Sequence, residues 1–285
     1  MKRGHGKAGS PRLSLSSISS RLNSFDQNLA LWEELEVSQI GLATWETVPW
    51  SLSDATVELL KRGYDISSLL VRGFDLAEPE SWPITRAMID AAVDSAAEIA
   101  MRGSEPPIVS MLTGRNYSLP SIQLLELLNR AVSPSLLVAR DQGVTIALEP
   151  TVSMRSDVSS IHTVLDAAKV ARALGTKVNV DLYACWTELD IRASISQLCT
   201  EGLVALIQIS DHARVTTASG DRAVPGDGCI PLAELVAAAV SGGYVGTYEL
   251  ESMGPTIDAE GYSSALRRGL DECCRILVEA GAAAS

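Results

Sequence analysis

GVTIALEP, residues 143–150, is a short β-branched apolar run that ends on a carboxylate, Glu149. Three later runs end the same way: KVNVD (177–181) on Asp181, VALIQISD (204–211) with Gln208 near its end, and GTYELES (246–252) with Glu251. Each has the length and composition of a buried strand, so a polar side chain at its C-terminal edge requires a reason. A metal ion shared by the four side chains is the simplest one.

Working outward, strand-like runs also occur at 12–18, 39–44, 65–71 and 108–113, and the four above extend over 144–149, 177–183, 204–210 and 246–252. Between them lie longer segments with apolar residues at helical spacing, among them SDATVELLKRG and SSIHTVLDAAKVARALG, the latter placing His162 early in a helix. Gly63, Gly143, Gly175, Gly202 and Gly243 close helical segments just before the next strand, where a left-handed cap turns the chain back. Eight βα pairs without a GxGxxG turn predict an α/β fold of the (β/α)8 TIM-barrel type. A single domain is expected over residues 11–285, behind a flexible basic tail at 1–10. In such a barrel the strand C-terminal ends carry the chemistry, and the four polar residues occupy those ends.

With 46% hydrophobic and 20% charged residues among 285, the composition is that of a globular enzyme and excludes the disordered class. A net charge of -12 argues against a nucleic-acid partner, since the field would repel phosphates. No run reaches the roughly 18 apolar residues of a membrane span, and no apolar segment follows the basic start, so a cytoplasmic protein without membrane association is expected. Five cysteines without CxxC spacing suit a reducing compartment.

Alternation places Glu149 on one face with Ala147 and Thr145, Asp181 with Asn179, and Gln208 with Leu206, Ser210 and His212. Converging carboxylates repel one another and are costly to desolvate unless a cation or protons compensate. An all-oxygen set of Glu149, Asp181, Gln208 and Glu251 suits a hard divalent ion, Mn²⁺ or Mg²⁺. Glu249 shares a face with Glu251 and is the alternative ligand on that strand. His212 follows the seventh strand and is either an acid or base near the site or an ordinary loop histidine. Trp45, Trp186 and Tyr183 could stack on a sugar or line a more hydrophobic pocket, and Arg115, with Arg72 and Asn116, could add polar contacts.

From about residue 11 to 280 the chain resembles the xylose isomerase-like TIM-barrel superfamily of sugar isomerases and epimerases, inosose dehydratase and endonuclease IV. The resemblance is carried by IALEP (146–150), VDLYACW (180–186), LIQISDH (206–212), DRAVPGDGCIPL (221–232) and GGYVGTYELES (242–252). It implies that Glu149, Asp181 and Glu251 ligate the metal, with Gln208 at the position of a histidine, and that Glu149 and Glu251 are the catalytic acid/base pair. It also matches Arg222 to an arginine before a Gly-Asp-Gly turn, from which it could reach substrate. Ala184 stands where relatives often have a histidine, which argues against nuclease chemistry and ordinary sugar binding. The resemblance implies a metal-dependent isomerase or epimerase of a keto sugar, polyol or related hydroxy-ketone, acting through an enediolate. A lyase or dehydratase on a bulkier substrate, and a binding protein that has lost catalysis, are the alternatives. The partner is then a small molecule, and assembly into a homo-oligomer is left open.

Overall fold

A computed structural model describes residues 12–115, 121–215 and 220–282; the basic tail and Asn116 lie outside them. The strands are β1 (Leu13–Ser16), β2 (Gln39–Ala43), β3 (Asp65–Val71), β4 (Ile108–Leu112), β5 (Ile146–Glu149), β6 (Lys177–Asp181), β7 (Val204–Ile209), β8 (Asp211–His212), β9 (Arg222–Ala223) and β10 (Thr247–Leu250). Helices α1 (Phe25–Glu34), α2 (Leu52–Lys61), α3 (Trp82–Met101), α4 (Ser121–Asp141) and α5 (Val164–Leu174) occupy the first half of the chain. They are followed by α6 (Leu182–Cys185), α7 (Ile191–Thr200), α8 (Leu232–Ser241), α9 (Pro255–Glu260) and α10 (Tyr262–Glu279).

Eight parallel strands close in the order β1-β10-β7-β6-β5-β4-β3-β2, the (β/α)8 barrel expected from the alternating pattern. Closure is made where Leu13 and Ser14 of β1 pair with Tyr248 and Glu249 of β10. The five glycines read as helix stops all have positive φ, from 65° to 83°. No helix among the described residues is long and apolar enough to cross a membrane.

Three local differences have physical causes. The sixth strand stops at Asp181 rather than 183, because the Asp181 carboxylate accepts the Tyr183 N–H at 3.0 Å and starts α6. Helix α5 begins at Val164 behind an N-cap at Thr163, whose hydroxyl accepts the Asp166 N–H at 3.1 Å. His162 therefore precedes the helix, with its Nδ1 3.0 Å from the Thr151 carbonyl. The antiparallel ribbon β8–β9, in which His212 pairs with Arg222, is too short to have a periodicity of its own.

Leucine and serine alternate in β1, and the serines turn inward to form part of an unusually polar barrel interior. Ser14, Ser67 and Ser68 donate to Glu249 Oε2 at 3.2, 3.1 and 2.9 Å. Two successive serines of β3 reach the same oxygen because the β2–β3 pairing passes from Ile40–Ile66 to Gly41–Ser68 and skips Ser67. Gly41 makes the room, since a Cβ there would lie 1.9 Å from Glu249 Oε2 and 2.6 Å from Ser68 Oγ. Gly41→Ala is therefore expected to destabilise the fold by about 1–3 kcal/mol, the usual cost of overpacking. Urea denaturation measures this, and an unchanged midpoint would show that the interior has slack.

Candidate metal centre

Glu149 ends β5, Asp181 ends β6, and Glu251 lies one residue past β10, so the barrel itself brings the three together. One oxygen from each lies within 4.8 Å of the others, and all three side chains are buried. Glu149 Oε2 accepts from Ser110 Oγ at 3.1 Å and Asn179 Nδ2 at 2.9 Å. Glu251 Oε2 accepts from Gln208 Nε2 at 2.6 Å and Ser16 Oγ at 3.3 Å.

Gln208 sits between two levels of the barrel. In the strand register it pairs with Glu249, and its Nε2 donates to Glu249 Oε1 at 3.2 Å as well as to Glu251. Its Oε1 is buried without a hydrogen-bond partner among the described residues. An unpartnered buried carbonyl oxygen is costly, and next to converging carboxylates it suits a cation. Glu249, the alternative ligand, lies deeper, held by serines and Gln208, and is not part of the 4.8 Å group.

The resident cation is Arg222. Its Nη2 donates to Asp181 Oδ2 at 2.9 Å and lies 3.3 Å from Glu251 Oε1, while Nη1 donates to Ser210 Oγ and the Glu251 carbonyl. One guanidinium does not balance four buried carboxyl groups. Burial, then repulsion by Asp181, pushes Glu149 up to about 7, against the opposing hydrogen bond from Ser110. Burial raises Glu251 well above the carboxylate range despite Arg222, with Glu149, Asp181 and Glu249 adding to the rise. For Arg222 burial acts downward, but Asp181, Glu251 and Glu149 together keep it above its ordinary value. Burial thus favours proton uptake by Glu149 and Glu251, and a divalent ion would compete with those protons.

The three carboxylates line a cavity of 520 Å³ together with Trp45, Arg115, Tyr183 and Arg222. Trp186 and His212 do not line it. They pack onto a residue that does: the His212 ring stacks on Tyr183 at 5.6 Å and 22°, the Trp186 ring lies tilted 6.0 Å from that of His212, and the Arg222 guanidinium lies 4.7 Å from the Tyr183 ring. Arg115 donates to Asp75 at 2.6 Å.

Asp211 is not among the residues that the sequence singles out for the site. Its buried carboxylate accepts the N–H groups of His212, Gly226, Gly228 and Ile230 at 2.8 to 3.0 Å and so holds the loop that follows Arg222. Gly228 is required there, because a Cβ would meet Asp211 Oδ1 at 2.2 Å. The signal available was an aspartate at a strand end followed by a glycine-rich turn. Arg155, paired with Asp157 at 2.8 Å, also lines the cavity without having been singled out.

The family model described as xylose isomerase-like TIM barrel matches residues 36–273. Among solved structures, a protein from Sinorhizobium meliloti 1021 aligns at TM-score 0.76 and 20% identity over 94% of this chain and 98% of its own. The IolI protein, described with a binding zinc atom, aligns at TM-score 0.76 and 14% identity over 93% and 98%. D-psicose 3-epimerase with D-tagatose from Clostridium cellulolyticum H10 aligns at TM-score 0.66 and 14% identity over 95% and 96%. A search of curated proteins found no match.

Two outcomes are expected from these contacts. Asp211→Asn turns an NH₂ group toward backbone N–H donors, which should cost about 3 kcal/mol and speed hydrogen exchange at Gly226 and Gly228; unchanged exchange would remove Asp211 from this role. Because Glu149 lies at about 7 in the folded protein and ordinarily at 4.5, the metal-free native state binds more protons between those values. Stability must then fall as pH rises from about 4.5 to about 7, by on the order of 3 kcal/mol. Urea midpoints at pH 5 and 7 should show a smaller drop in Glu149→Gln than in the unsubstituted protein.

Proposed function

The chain belongs to the xylose isomerase-like TIM-barrel family, and from that premise we propose that it is a divalent-metal-dependent isomerase or epimerase of a keto sugar, polyol or related hydroxy-ketone. The observation that carries this is the convergence of Glu149, Asp181 and Glu251 at one end of the barrel, lining one cavity. The epimerase among the structural neighbours supports it.

Glu149, Asp181, Glu251 and the free Gln208 oxygen would hold the ion, for which Mn²⁺ or Mg²⁺ fits the all-oxygen set. When bound, it polarises a substrate carbonyl and acidifies the neighbouring C–H. Glu149 and Glu251 form the acid/base pair: one removes the proton, and the other returns it to the opposite face or to the adjacent carbon. Their raised proton affinities, set by burial, bring both toward the range in which carboxyl groups exchange protons near neutral pH. Arg222 holds Asp181 and Glu251 in place, and Tyr183, backed by His212 and Trp186, steadies the Arg222 guanidinium. Solution in the cytoplasm, a small-molecule partner and no nucleic-acid partner complete this reading.

A lyase or dehydratase is the second reading. It is favoured by the apolar stretch of the cavity wall, where Leu70, Phe74, Val152, Ala184 and Met253 leave room for a bulkier hydroxy-ketone.

Mn²⁺ is expected to raise the thermal midpoint, and solvent deuterium to enter a turned-over hydroxy-ketone at the carbon beside its carbonyl. Glu149→Gln and Glu251→Gln should each reduce that exchange by about 10²-fold or more with the fold retained. Full exchange in either variant would remove that residue from the acid/base pair, and a protein that gains no stability from Mn²⁺ would be a binding protein instead.

A further inference from the structure

The cavity has a second polar end. Around the closed barrel the carboxylates belong to β5, β6 and β10, whereas Trp45 follows β2, Arg72 follows β3 and Arg115 follows β4, on the other arc of the ring. All of these residues line the same cavity. The same cavity is also lined by apolar side chains, Leu70, Phe74 and Leu112 on the arc of β3 and β4, and Ile18, Val152 and Met253 after β1, β5 and β10.

The arginines on this cavity are not equivalent. Arg222 is committed to Asp181 and Glu251, Arg115 to Asp75, and Arg155 to Asp157. Arg72 makes no ion pair among the described residues. Its guanidinium lies 4.9 Å from the centroid of the Trp45 ring. One face of the Trp45 ring is taken by this guanidinium, and a cation–π contact of this kind restrains the planar fork while leaving its N–H donors open. Open guanidinium donors at the edge of an apolar-walled cavity suit the planar or tetrahedral oxygens of an anion.

We propose that Arg72, steadied by Trp45, is the subsite for a carboxylate or phosphate group of the substrate. This rests on the hydroxy-ketone reading of the other end and narrows it to hydroxy-ketones that carry an anionic group several bonds from the reacting carbons. The carbonyl and hydroxyl end would lie on the arc of β5, β6 and β10, where Glu149, Asp181 and Glu251 would hold the ion. Arg72 holds the anionic end on the opposite arc, and the apolar wall packs against the carbon skeleton between them. A cavity of 520 Å³ has room for such a molecule.

The test uses three probes with a common carbon chain, D-fructose, D-fructuronate and D-fructose 6-phosphate, titrated calorimetrically into the full-length protein with Mn²⁺. At least one anionic probe is expected to bind about tenfold or more tightly than fructose, the effect of a charge-assisted hydrogen bond, and the tighter of the two identifies carboxylate or phosphate. Arg72→Gln should bring that probe to parity with fructose. Arg102→Gln, at the exposed C-cap of α3, paired with Glu98 and outside the cavity, should keep the preference. Equal affinities for all three probes, a preference that survives in Arg72→Gln, or failure of both anions to bind would overturn the proposal. The Mn²⁺ isotherm is recorded separately: its loss sinks the metal-dependent reading alone, because an anion preference that depends on Arg72 can still be measured without the ion.

Discussion

Four carboxyl groups, Glu149, Asp181, Glu249 and Glu251, are buried in one barrel interior with a single guanidinium among them. Carboxylates withdrawn from water repel and are poorly solvated, so the surrounding structure must supply donors, protons or a cation. Much of the architecture can be understood as that supply. Serines replace branched aliphatics in the interior of β1 and β3, Gly41 gives way to a carboxylate, and Asn179 and Ser110 both turn toward Glu149.

The support extends outward in tiers. Asp211 gathers four backbone N–H groups and so fixes the loop behind β9, which delivers Arg222 to Asp181 and Glu251. Tyr183 lies against the guanidinium, His212 stacks on Tyr183, and Trp186 packs against His212. His212 and Trp186 therefore serve the site through Tyr183 and Arg222 rather than from the cavity wall.

The barrel and the strand-end carboxylates were legible in the sequence because both follow from local rules. Period-two strands and glycine-stopped helices repeat along the chain, and Glu149, Asp181 and Glu251 interrupt apolar runs at equivalent points. What stayed hidden depends on how strands are staggered around the closed ring, which a one-dimensional pattern does not encode. Nothing local shows that Gln208 pairs with Glu249 while bonding to Glu251, or that Ser67 is skipped and reaches inward. The placing of His212 on Tyr183 depends on the two-residue ribbon β8–β9, which is likewise invisible to periodicity. The start of α5 was misplaced because apolar spacing continues through Ile161, whereas the Thr163 cap decides where the helix begins.

The amide of Gln208 has one further consequence. Both of its donated bonds come from the same nitrogen, one to each level of the barrel, so while Glu249 and Glu251 are ionised, turning the amide over would set an oxygen against two carboxylates at once. In that state the side chain has a single favoured facing, and unlike an imidazole it has no proton to gain or lose across the physiological range. The position that joins the upper carboxylates to the buried Glu249 thus acts as a fixed electrical spacer. Acidification can alter the charge on either side of it without altering the connector itself.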